Sequence, residues 1–135
     1  MMGIVKMFRE AVKLKTNSKI QMLDITSEVR AFVQKNNITN GAVNIFIPHT
    51  TAGVTINENC DPDVQSDLNK AMQKLFPDSL NMHHSEGNSS AHLMSSLIGV
   101  SLTIFVENGN LLLGTWQGIY FWEFDGPRQR EFYIM

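Results

Sequence analysis

The sequence predicts an α+β fold in which two or three helices pack on one face of a mainly antiparallel sheet. Apolar and polar residues alternate as in strands through much of the chain, and they switch to helical spacing in three segments. Asn108-Gly109 lies between two apolar runs, which is the strongest short-range signal of an antiparallel hairpin. Runs of strands with few intervening helices favour an α+β fold over a parallel α/β fold.

The three helical segments carry recognisable start signals. Thr26 is a predicted N-cap of the first helix, and Asp61, followed by Pro62 at the first helical position, is that of the second. Asn88 or Ser89 is the expected cap of the third helix. The helices are therefore expected at about residues 26–35, 62–75 and 89–98.

The other ordered segments are predicted to be strands. In the segment "TAGVTINEN", Val54 and Ile56 belong to an apolar face, while Thr51, Thr55 and Asn57 belong to a row of small hydrogen-bonding groups on the other. One face of this strand is thus expected to be core and the other polar. The predicted strands lie at residues 4–14, 19–23, 42–48, 51–59, 100–107, 110–116, 118–124 and 129–135.

Glu123 interrupts the apolar strand "IYFWEF" and shares a face with Phe121 by alternation. It either faces solvent at a sheet edge or pairs with a cation. Arg128 and Arg130 are close enough along a hairpin to be its partners. Both possibilities stay open at the level of sequence.

The segment "LLLGTWQG" contains two glycines, Gly114 and Gly118, where a strand would continue. Glycines in a strand mark a bulge or a close approach by another group, so Thr115 and Gln117 could face a ligand. The alternative is a simple corner with Trp116 filling the core.

Composition describes a single globular domain over residues 1–135 and excludes several classes of protein. The net charge is -2 without a basic stripe, so nucleic acid is not an expected partner, and no apolar run has the length of a membrane span. Because Cys60 is the only cysteine and the first fifteen residues lack a signal peptide's apolar block, we expect a cytoplasmic protein. Cys60 itself is predicted to be a small buried residue. The low charged content, 18%, favours an oligomer.

The histidines are concentrated, since His83, His84 and His92 all lie in "NMHHSEGNSSAH" and His49 follows a strand. His49, His84 and His92 arrive from three backbone contexts, and three imidazoles could hold zinc with an open coordination position. The spacing of seven residues between His84 and His92 is not a recognised ligand spacing. The alternative is a surface pair together with capped or core rings.

The motifs resemble the YjbQ family, also called the secondary thiamine-phosphate synthase family. The resemblance lies in "HTTAGVTINENCDPDV", in the segment ending "SSLIG" and in "SLTIFVENGNLLLGTWQGIYFWEFDGPRQR", and it covers almost the whole chain. It implies the same α+β fold, assembled as a homotrimer. It also implies weak thiamine phosphate synthase activity, in which a pyrimidine diphosphate and a thiazole phosphate are joined with loss of pyrophosphate.

The resemblance also assigns site residues, with His83 as an alternative to His84. A divalent metal, zinc or magnesium, would be held by His49, His84 and His92, and no organic cofactor is indicated. The implied catalytic residues are His49, Glu58, His84 and His92. The implied substrate-binding residues are Thr50, Thr51, Asn57, Asn88, Thr115, Trp116 and Gln117.

The leading hypothesis is a small-molecule enzyme whose histidine-rich site, between protomers, takes a small and phosphorylated ligand. The N-terminus of the third helix would offer N–H donors to an anion. A metal-dependent hydrolase is a rival hypothesis, with Glu58 or Glu86 as general base of a metal-bound water. A trimeric binding protein without catalytic activity is the other. Neither a membrane nor a nucleic acid is an expected partner.

Overall fold

A computed structural model describes residues 7–79, 83 and 87–135. These residues contain three helices and eight strands. The helices are α1 (Thr26–Lys35), α2 (Pro62–Leu75) and α3 (Ser89–Ile98). The strands are β1 (Glu10–Lys15), β2 (Gln21–Asp24), β3 (Gly41–Phe46), β4 (Ala52–Glu58), β5 (Ser101–Glu107), β6 (Asn110–Leu111), β7 (Gln117–Glu123) and β8 (Gln129–Ile134).

The strands form two antiparallel sheets. The larger has the order β1-β8-β3-β5-β6 and the smaller β2-β7-β4. The predicted α+β class with antiparallel pairing is therefore confirmed, but the strands divide between two sheets where one was expected. Alternation of apolar residues identifies strands without identifying their partners, so the sequence could not reveal this division.

The main core lies between the two sheets and includes one helix. Phe32 of α1 packs there with Phe121 of β7 and Phe132 of β8, and all three are almost completely buried. Burial of one such side chain stabilises the fold by about 1.5–3 kcal/mol. The prediction that helices share one face of a sheet is therefore wrong for α1, which contributes to the core between sheets.

Helices α2 and α3 pack on the other side of the small sheet. Their side chains Met72 and Met94 form a second core cluster with Trp122 and Phe124. Side chains of a strand alternate between its faces, so β7 has one face toward the main core and the other toward α2 and α3. No face of β7 is left for solvent, which explains why each residue from Gly118 to Glu123 is buried.

The start of α1 differs from the predicted cap. Thr26 is the first helical residue, Ile25 occupies the cap position, and no side chain makes the usual cap bond. Instead Asp24 Oδ1 accepts hydrogen bonds from the N–H and the hydroxyl of Thr26, at 2.9 and 2.5 Å. The same hydroxyl accepts the N–H of Ile119 at 2.9 Å. Thr26 thus joins α1 to β7 instead of capping the helix.

Two other start signals have different outcomes. Asp61 caps α2 as predicted, because its carboxylate accepts the N–H of Asp63 at 2.9 Å. Asn88 occupies the cap position of α3, but its side chain makes no cap bond. No helix in residues 7–79, 83 and 87–135 is long and apolar enough to cross a membrane.

The hairpin prediction is confirmed, since Asn108 and Gly109 have φ values of 52° and 77° and connect β5 to β6. Strand β6 is only two residues long, however, and the chain then turns at residues 114–116. Trp116 is 60% exposed, which rules out the alternative that it fills the core. Cys60 is also exposed, contrary to prediction.

Candidate functional site

A cavity of about 960 Å³, which we call the His49 cavity, lies where the ends of β3 and α3 meet the starts of β4 and β8. Its described wall contains two arginines and two histidines, together with several hydroxyl groups. It contains no carboxylate. The lining residues are Phe46, Ile47, Pro48, His49, Thr50, Thr51, Asn88, His92, Ser95, Ser96, Gly99, Val100, Arg128 and Arg130.

His49 follows Pro48 at the end of β3, and β8 fixes its ring. Its Nε2 lies 3.0 Å from the carbonyl oxygen of Glu131 and 3.1 Å from that residue's N–H nitrogen. A protonated Nε2 can donate to the carbonyl and an unprotonated one can accept from the N–H, so either tautomer has a backbone partner. Nδ1 is the ring nitrogen that this contact leaves available.

The pKa of His49 is lowered by burial and, secondarily, by the positive charge of Arg130. Both effects disfavour the imidazolium form. His49 is therefore a neutral imidazole near pH 7, which is the form that can accept a proton from a bound molecule.

Arg130, in the cavity wall, forms a buried ion pair with Glu123 behind it, and their side chains are 3% and 0% exposed. The Nε of Arg130 donates to Oε1 at 2.9 Å, and Nη2 donates to Oε2. Glu123 also accepts the Thr16 hydroxyl and the N–H groups of Phe124 and Asp125. The sequence left Glu123 as solvent-facing or paired, and the structure shows it paired, with Arg130 instead of Arg128.

Burial alone would raise the pKa of Glu123. The hydrogen bonds from Arg130, the N–H of Asp125 and Thr16 outweigh burial and lower the pKa. Glu123 therefore stays ionised beneath the cavity.

Arg130 also contacts Thr51 at the start of β4. Its Nη2 donates to the Thr51 hydroxyl at 2.8 Å and to the Thr51 carbonyl at 3.2 Å. Because Nε and Nη2 are both occupied, Nη1 carries the guanidinium donors without a hydrogen-bond partner among the described residues. Arg130 lines the cavity, so these donors are placed for a ligand.

A second acid, Asp125, connects α3 to the hairpin between β7 and β8. Its Oδ2 accepts from Asn88 Nδ2 and from Arg128 Nη2, both at 2.9 Å, and its carbonyl accepts from Arg128 Nε. Asn88 Oδ1 is buried and has no hydrogen-bond partner in the described part of the chain. A buried acceptor without a partner costs about 1–3 kcal/mol, and such groups are rare in native structures.

Helix α3 supplies one wall of the cavity and is closely packed on β4. The Ser95 hydroxyl donates to the Ala52 carbonyl at 2.7 Å. A Cβ on Gly53 would lie 2.8 Å from the Gly99 carbonyl, so only glycine permits this approach. His92, in the second turn of α3, is thereby held beside His49 and Arg130 in the cavity wall.

The predicted metal site is not assembled by the described residues. No three His, Cys, Asp or Glu side chains converge within residues 7–79, 83 and 87–135. His49 has Nε2 committed to Glu131, while His83 is exposed. His84 and Glu86 lie outside the described residues, so the full three-histidine set stays a prediction.

The predicted site residues fall into two groups, far apart in one chain. His49, Thr50, Thr51, Asn88 and His92 line the His49 cavity. The second group lies at the end of the β4–β7 ladder where Glu58 is opposite Gln117. Ala52 is opposite Glu123 at the other end. Six residue steps along a strand span roughly 20 Å. This second group comprises Asn57, Glu58, Thr115, Trp116 and Gln117.

The second group is organised around residues 114–117, which we call the Trp116 turn. Gln117 Oε1 accepts the N–H of Gly114 at 2.7 Å, and the Trp116 carbonyl accepts the N–H of Asn59 at 2.9 Å. A Cβ on Gly118 would meet Asn59 Cβ at 2.8 Å, which confirms the close approach expected at this glycine. The turn thus fixes an exposed indole at the surface.

Sequence reasoning placed Arg128 and Arg130 near Glu123 but did not include them in the site. It also omitted Ser95 and Ser96. The alternation of β8 does put Arg130 on the same face as the core residues Phe132 and Ile134. An arginine on a core face beside an acid on a core face was the signal that could have identified the pair.

Together the fold and the His49 cavity define an α+β protein with two antiparallel sheets and a cavity rich in arginine, histidine and hydroxyl groups. Residues 10–135 match the family model described as UPF0047 protein YjbQ-like. The chain belongs to this family.

Relatives and solved structures agree in sequence and shape. The UPF0047 protein YugU of Bacillus subtilis strain 168 is 52% identical over 93% of this chain and 96% of its own length. The UPF0047 protein MJ1081 of Methanocaldococcus jannaschii is 47% identical, covering 98% and 96%. The crystal structure of a YjbQ/UPF0047 protein from Clostridium acetobutylicum superposes with a TM-score of 0.92 at 49% identity, covering 93% and 98%.

A more distant structure has the same fold. A YbjQ-like protein of unknown function from Sulfolobus solfataricus superposes with a TM-score of 0.90 at 30% identity, covering 94% of each chain.

Proposed function

We propose that this protein is an enzyme that acts on a small phosphorylated molecule bound in the His49 cavity. The observation that carries the proposal is the cavity wall itself, whose described residues include Arg128 and Arg130 and no acid. Guanidinium groups recognise phosphate through paired hydrogen bonds. A neutral His49 beside them supplies a base.

Each polar group has a distinct role in this proposal. Arg128, which is exposed, and Nη1 of Arg130 donate to phosphate oxygens. The first N–H groups of α3 have no helical acceptor and add positive potential at the same wall. His49 Nδ1 accepts a proton from the bound molecule while β8 holds Nε2. Thr51 is oriented by Arg130 and offers a fixed hydroxyl.

No step of the proposed chemistry depends on a bound metal. A zinc or magnesium site at His49, His84 and His92 stays a separate prediction. Thiamine phosphate synthase activity, as implied by the family resemblance, is a more specific form of this proposal, because it names the substrates and the product. Direct assay of thiamine phosphate formation tests that finer version.

Assembly as a homotrimer belongs to the same proposal. The exposed Trp116 turn lies roughly 20 Å from the His49 cavity along the β4–β7 ladder. A head-to-tail contact, in which unlike surfaces of identical chains meet, closes into a ring when its rotation allows. In such a ring the Trp116 turn of one copy would complete the cavity of its neighbour.

The direct test is isothermal titration of phosphorylated metabolites, together with inorganic phosphate, against the wild type, Arg128→Ala and Arg30→Ala. Arg30 is an exposed arginine on α1 and serves as the matched control. Binding that weakens at least tenfold in Arg128→Ala and is unchanged in Arg30→Ala supports the proposal. Equal affinity in all three proteins contradicts it.

Turnover of a ligand found in this way separates an enzyme from a binding protein. His49→Gln removes the base while retaining a polar side chain, so the proposal expects turnover to fall by about 10²–10⁴-fold. Full turnover in His49→Gln would rule out its role as base.

A further inference from the structure

We infer that Thr16 is a positioning residue for phosphate binding, because its buried hydroxyl fixes the spacing of the two arginines in the His49 cavity. This inference rests on the proposed function and adds to it a residue that does not touch the ligand. Thr16 is 0% exposed and is not among the residues that line the cavity. Any effect of Thr16 on a ligand must therefore pass through the residues that it holds.

Thr16 lies directly after β1, where the ladder between β1 and β8 ends. Lys15 is opposite Gln129 at the last paired position, so Thr16 follows opposite Arg128. The N–H of Thr16 donates to the Arg128 carbonyl at 2.9 Å, and the Thr16 hydroxyl accepts the Arg128 N–H at 3.0 Å. Both backbone groups of Arg128 are thus bound to one residue, which fixes the point from which the Arg128 side chain extends.

The same hydroxyl also binds the carboxylate that holds Arg130. Its single proton goes to Glu123 Oε1 at 2.8 Å, because an ionised carboxylate is a stronger acceptor than the Arg128 carbonyl at 3.1 Å. Glu123 Oε1 accepts from Arg130 Nε at 2.9 Å as well. One hydroxyl therefore connects the backbone of Arg128 to the ion pair of Arg130.

The side-chain contacts of Arg128 do not fix its place relative to Arg130. Its Nε and Nη2 donate to Asp125, three residues earlier, so these contacts would move with the turn that contains both residues. Asn88 holds the Asp125 carboxylate, whereas Thr16 holds the Arg128 backbone itself. Two guanidinium groups that bind one phosphate need a fixed separation, since each hydrogen bond depends on distance and angle.

The turn between β7 and β8 is also packed closely against Thr16. A Cβ on Gly126 would lie 2.8 Å from Thr16 Oγ1 and 2.9 Å from Glu123 Cγ. Thr16→Ala would remove this support, and it would leave the Arg128 N–H and Glu123 Oε1 with one hydrogen bond fewer each. The turn could then shift, and Arg128 would shift with it.

The test is isothermal titration of inorganic phosphate against the wild type, Thr16→Ala and Thr16→Ser. Misplacement of Arg128 should weaken phosphate binding in Thr16→Ala by about ten- to a hundredfold. Thr16→Ser retains the hydroxyl, so its affinity should stay near that of the wild type.

Thr26→Ala is the matched control for loss of a buried threonine hydroxyl. Thr26 is 4% exposed, and its hydroxyl likewise donates to a carboxylate, that of Asp24, and accepts a backbone N–H, that of Ile119. Thr26 is not among the residues that line the cavity. Its substitution should therefore leave phosphate affinity unchanged.

A double-mutant cycle with Arg128→Ala separates positioning from a general structural role. Without Arg128 there is no spacing of two arginines to maintain, so Thr16→Ala should then have little further effect on phosphate affinity. Arg130 itself should stay in place, because Glu123 still accepts its guanidinium and the N–H groups of Phe124 and Asp125. A purely structural role would weaken binding equally with and without Arg128.

Hydrogen exchange of the wild type provides a measurement that needs no substitution. Coupling between two sites is reciprocal, so phosphate should slow exchange of the Thr16 N–H, which donates to the Arg128 carbonyl. The Ile119 N–H, which donates to Thr26, reports the general stabilisation by a ligand. We expect a larger slowing at Thr16 than at Ile119. Circular dichroism identifies any variant that has not folded.

The outcomes distinguish the inference from the proposed function. Phosphate affinity that falls in Arg128→Ala but is unchanged in folded Thr16→Ala overturns the inference and leaves the proposed function intact. Equal weakening by Thr16→Ala in both backgrounds, or weak binding by Thr16→Ser, also overturns it. If Thr16→Ala does not fold, equal slowing of exchange at Thr16 and Ile119 does so. A wild type that does not bind phosphate contradicts the proposed function and the inference together.

Discussion

The guanidinium of Arg130 on β8 holds both carboxylate oxygens of Glu123 on β7, so a buried ion pair connects the two sheets. Thr16, directly after β1, adds a hydrogen bond from the same side of the large sheet. Arg130 also donates to the Thr51 hydroxyl, which extends this cluster to the start of β4. This polar cluster thus joins elements of both sheets beside the His49 cavity.

The cluster predicts unequal costs for two neighbouring arginines. Arg130→Met leaves Glu123 buried without a cation, so we expect the free energy of unfolding to fall by about 3–5 kcal/mol. Arg128→Met breaks a pair whose arginine is half exposed and leaves Asp125 with its hydrogen bond from Asn88, so it should cost only about 1 kcal/mol. Urea unfolding of both variants measures the difference. Similar costs for the two substitutions would show that the pair does not bear on stability as inferred.

Stability should also depend on the ionisation of His49. Its pKa in the folded protein is lowered by burial and by Arg130, whereas an unfolded histidine ionises near 6.5. Between these two values the unfolded chain binds more protons, so the His49 contribution to stability is present above about pH 6.5 and is lost as the pH falls. Below the lowered pKa the loss is complete.

Nuclear magnetic resonance titration of the His49 ring, together with unfolding of wild type and His49→Gln at several pH values, measures this dependence. The stability advantage of wild type over His49→Gln should shrink as the pH drops below about 6.5. A His49 midpoint at or above 6.5 would contradict the expected direction.

The cap of α2 is a local feature with a predictable cost. Asp61→Ala removes the acceptor of the Asp63 N–H, so the free energy of unfolding should fall by about 1 kcal/mol. Asp67→Ala, within the same helix, has no cap to lose and should change stability by less than about 0.5 kcal/mol. Thermal unfolding of both variants separates the cap from a general effect of removing charge.

Truncation of the two tryptophans should affect the free energy of unfolding very differently. Trp122 is buried and donates to Asn69 Oδ1 at 2.8 Å, so Trp122→Ala should cost about 3–5 kcal/mol. Trp116 is exposed, and Trp116→Ala should leave the stability of the isolated fold nearly unchanged. Under the proposed trimer it should instead reduce the mass in solution.

Light scattering of the wild type and Trp116→Ala at micromolar concentration tests that assembly. We expect the mass of three chains for the wild type and a smaller species for the variant. A wild-type mass of about 15 kDa would contradict the trimer.

The helices were predictable because each has a strong local signal. α2 begins with Asp61-Pro62 and the apolar stripe through Met72, and its observed bounds match the prediction. Thr26 shows the limit of such signals, because its hydroxyl is used by Asp24 and by the N–H of Ile119, a residue distant in sequence. Tertiary contacts of this kind decide the role of a residue that local rules assign to a cap.

The site was only partly predictable for the same reason. Residues around His49 and Thr51 were expected together and do line one cavity. Arg130 was recognised as a partner for Glu123, but its approach to Thr51 depends on how two sheets pack. Cys60 was expected to be buried because of its residue type, yet it follows the end of β4, where the chain is exposed.

The β4–β7 ladder has a consequence for any site that two copies of the chain build together. Seven paired positions hold the strands in register from Ala52 to Glu58, so no bending within one chain brings the Trp116 turn to its own His49 cavity. Chemistry that used both would have to occur between chains and would vanish on dilution. If both halves are needed, His49→Gln and Trp116→Ala chains would each turn over poorly alone, and a mixture would regain activity because some cavities would then receive both intact halves.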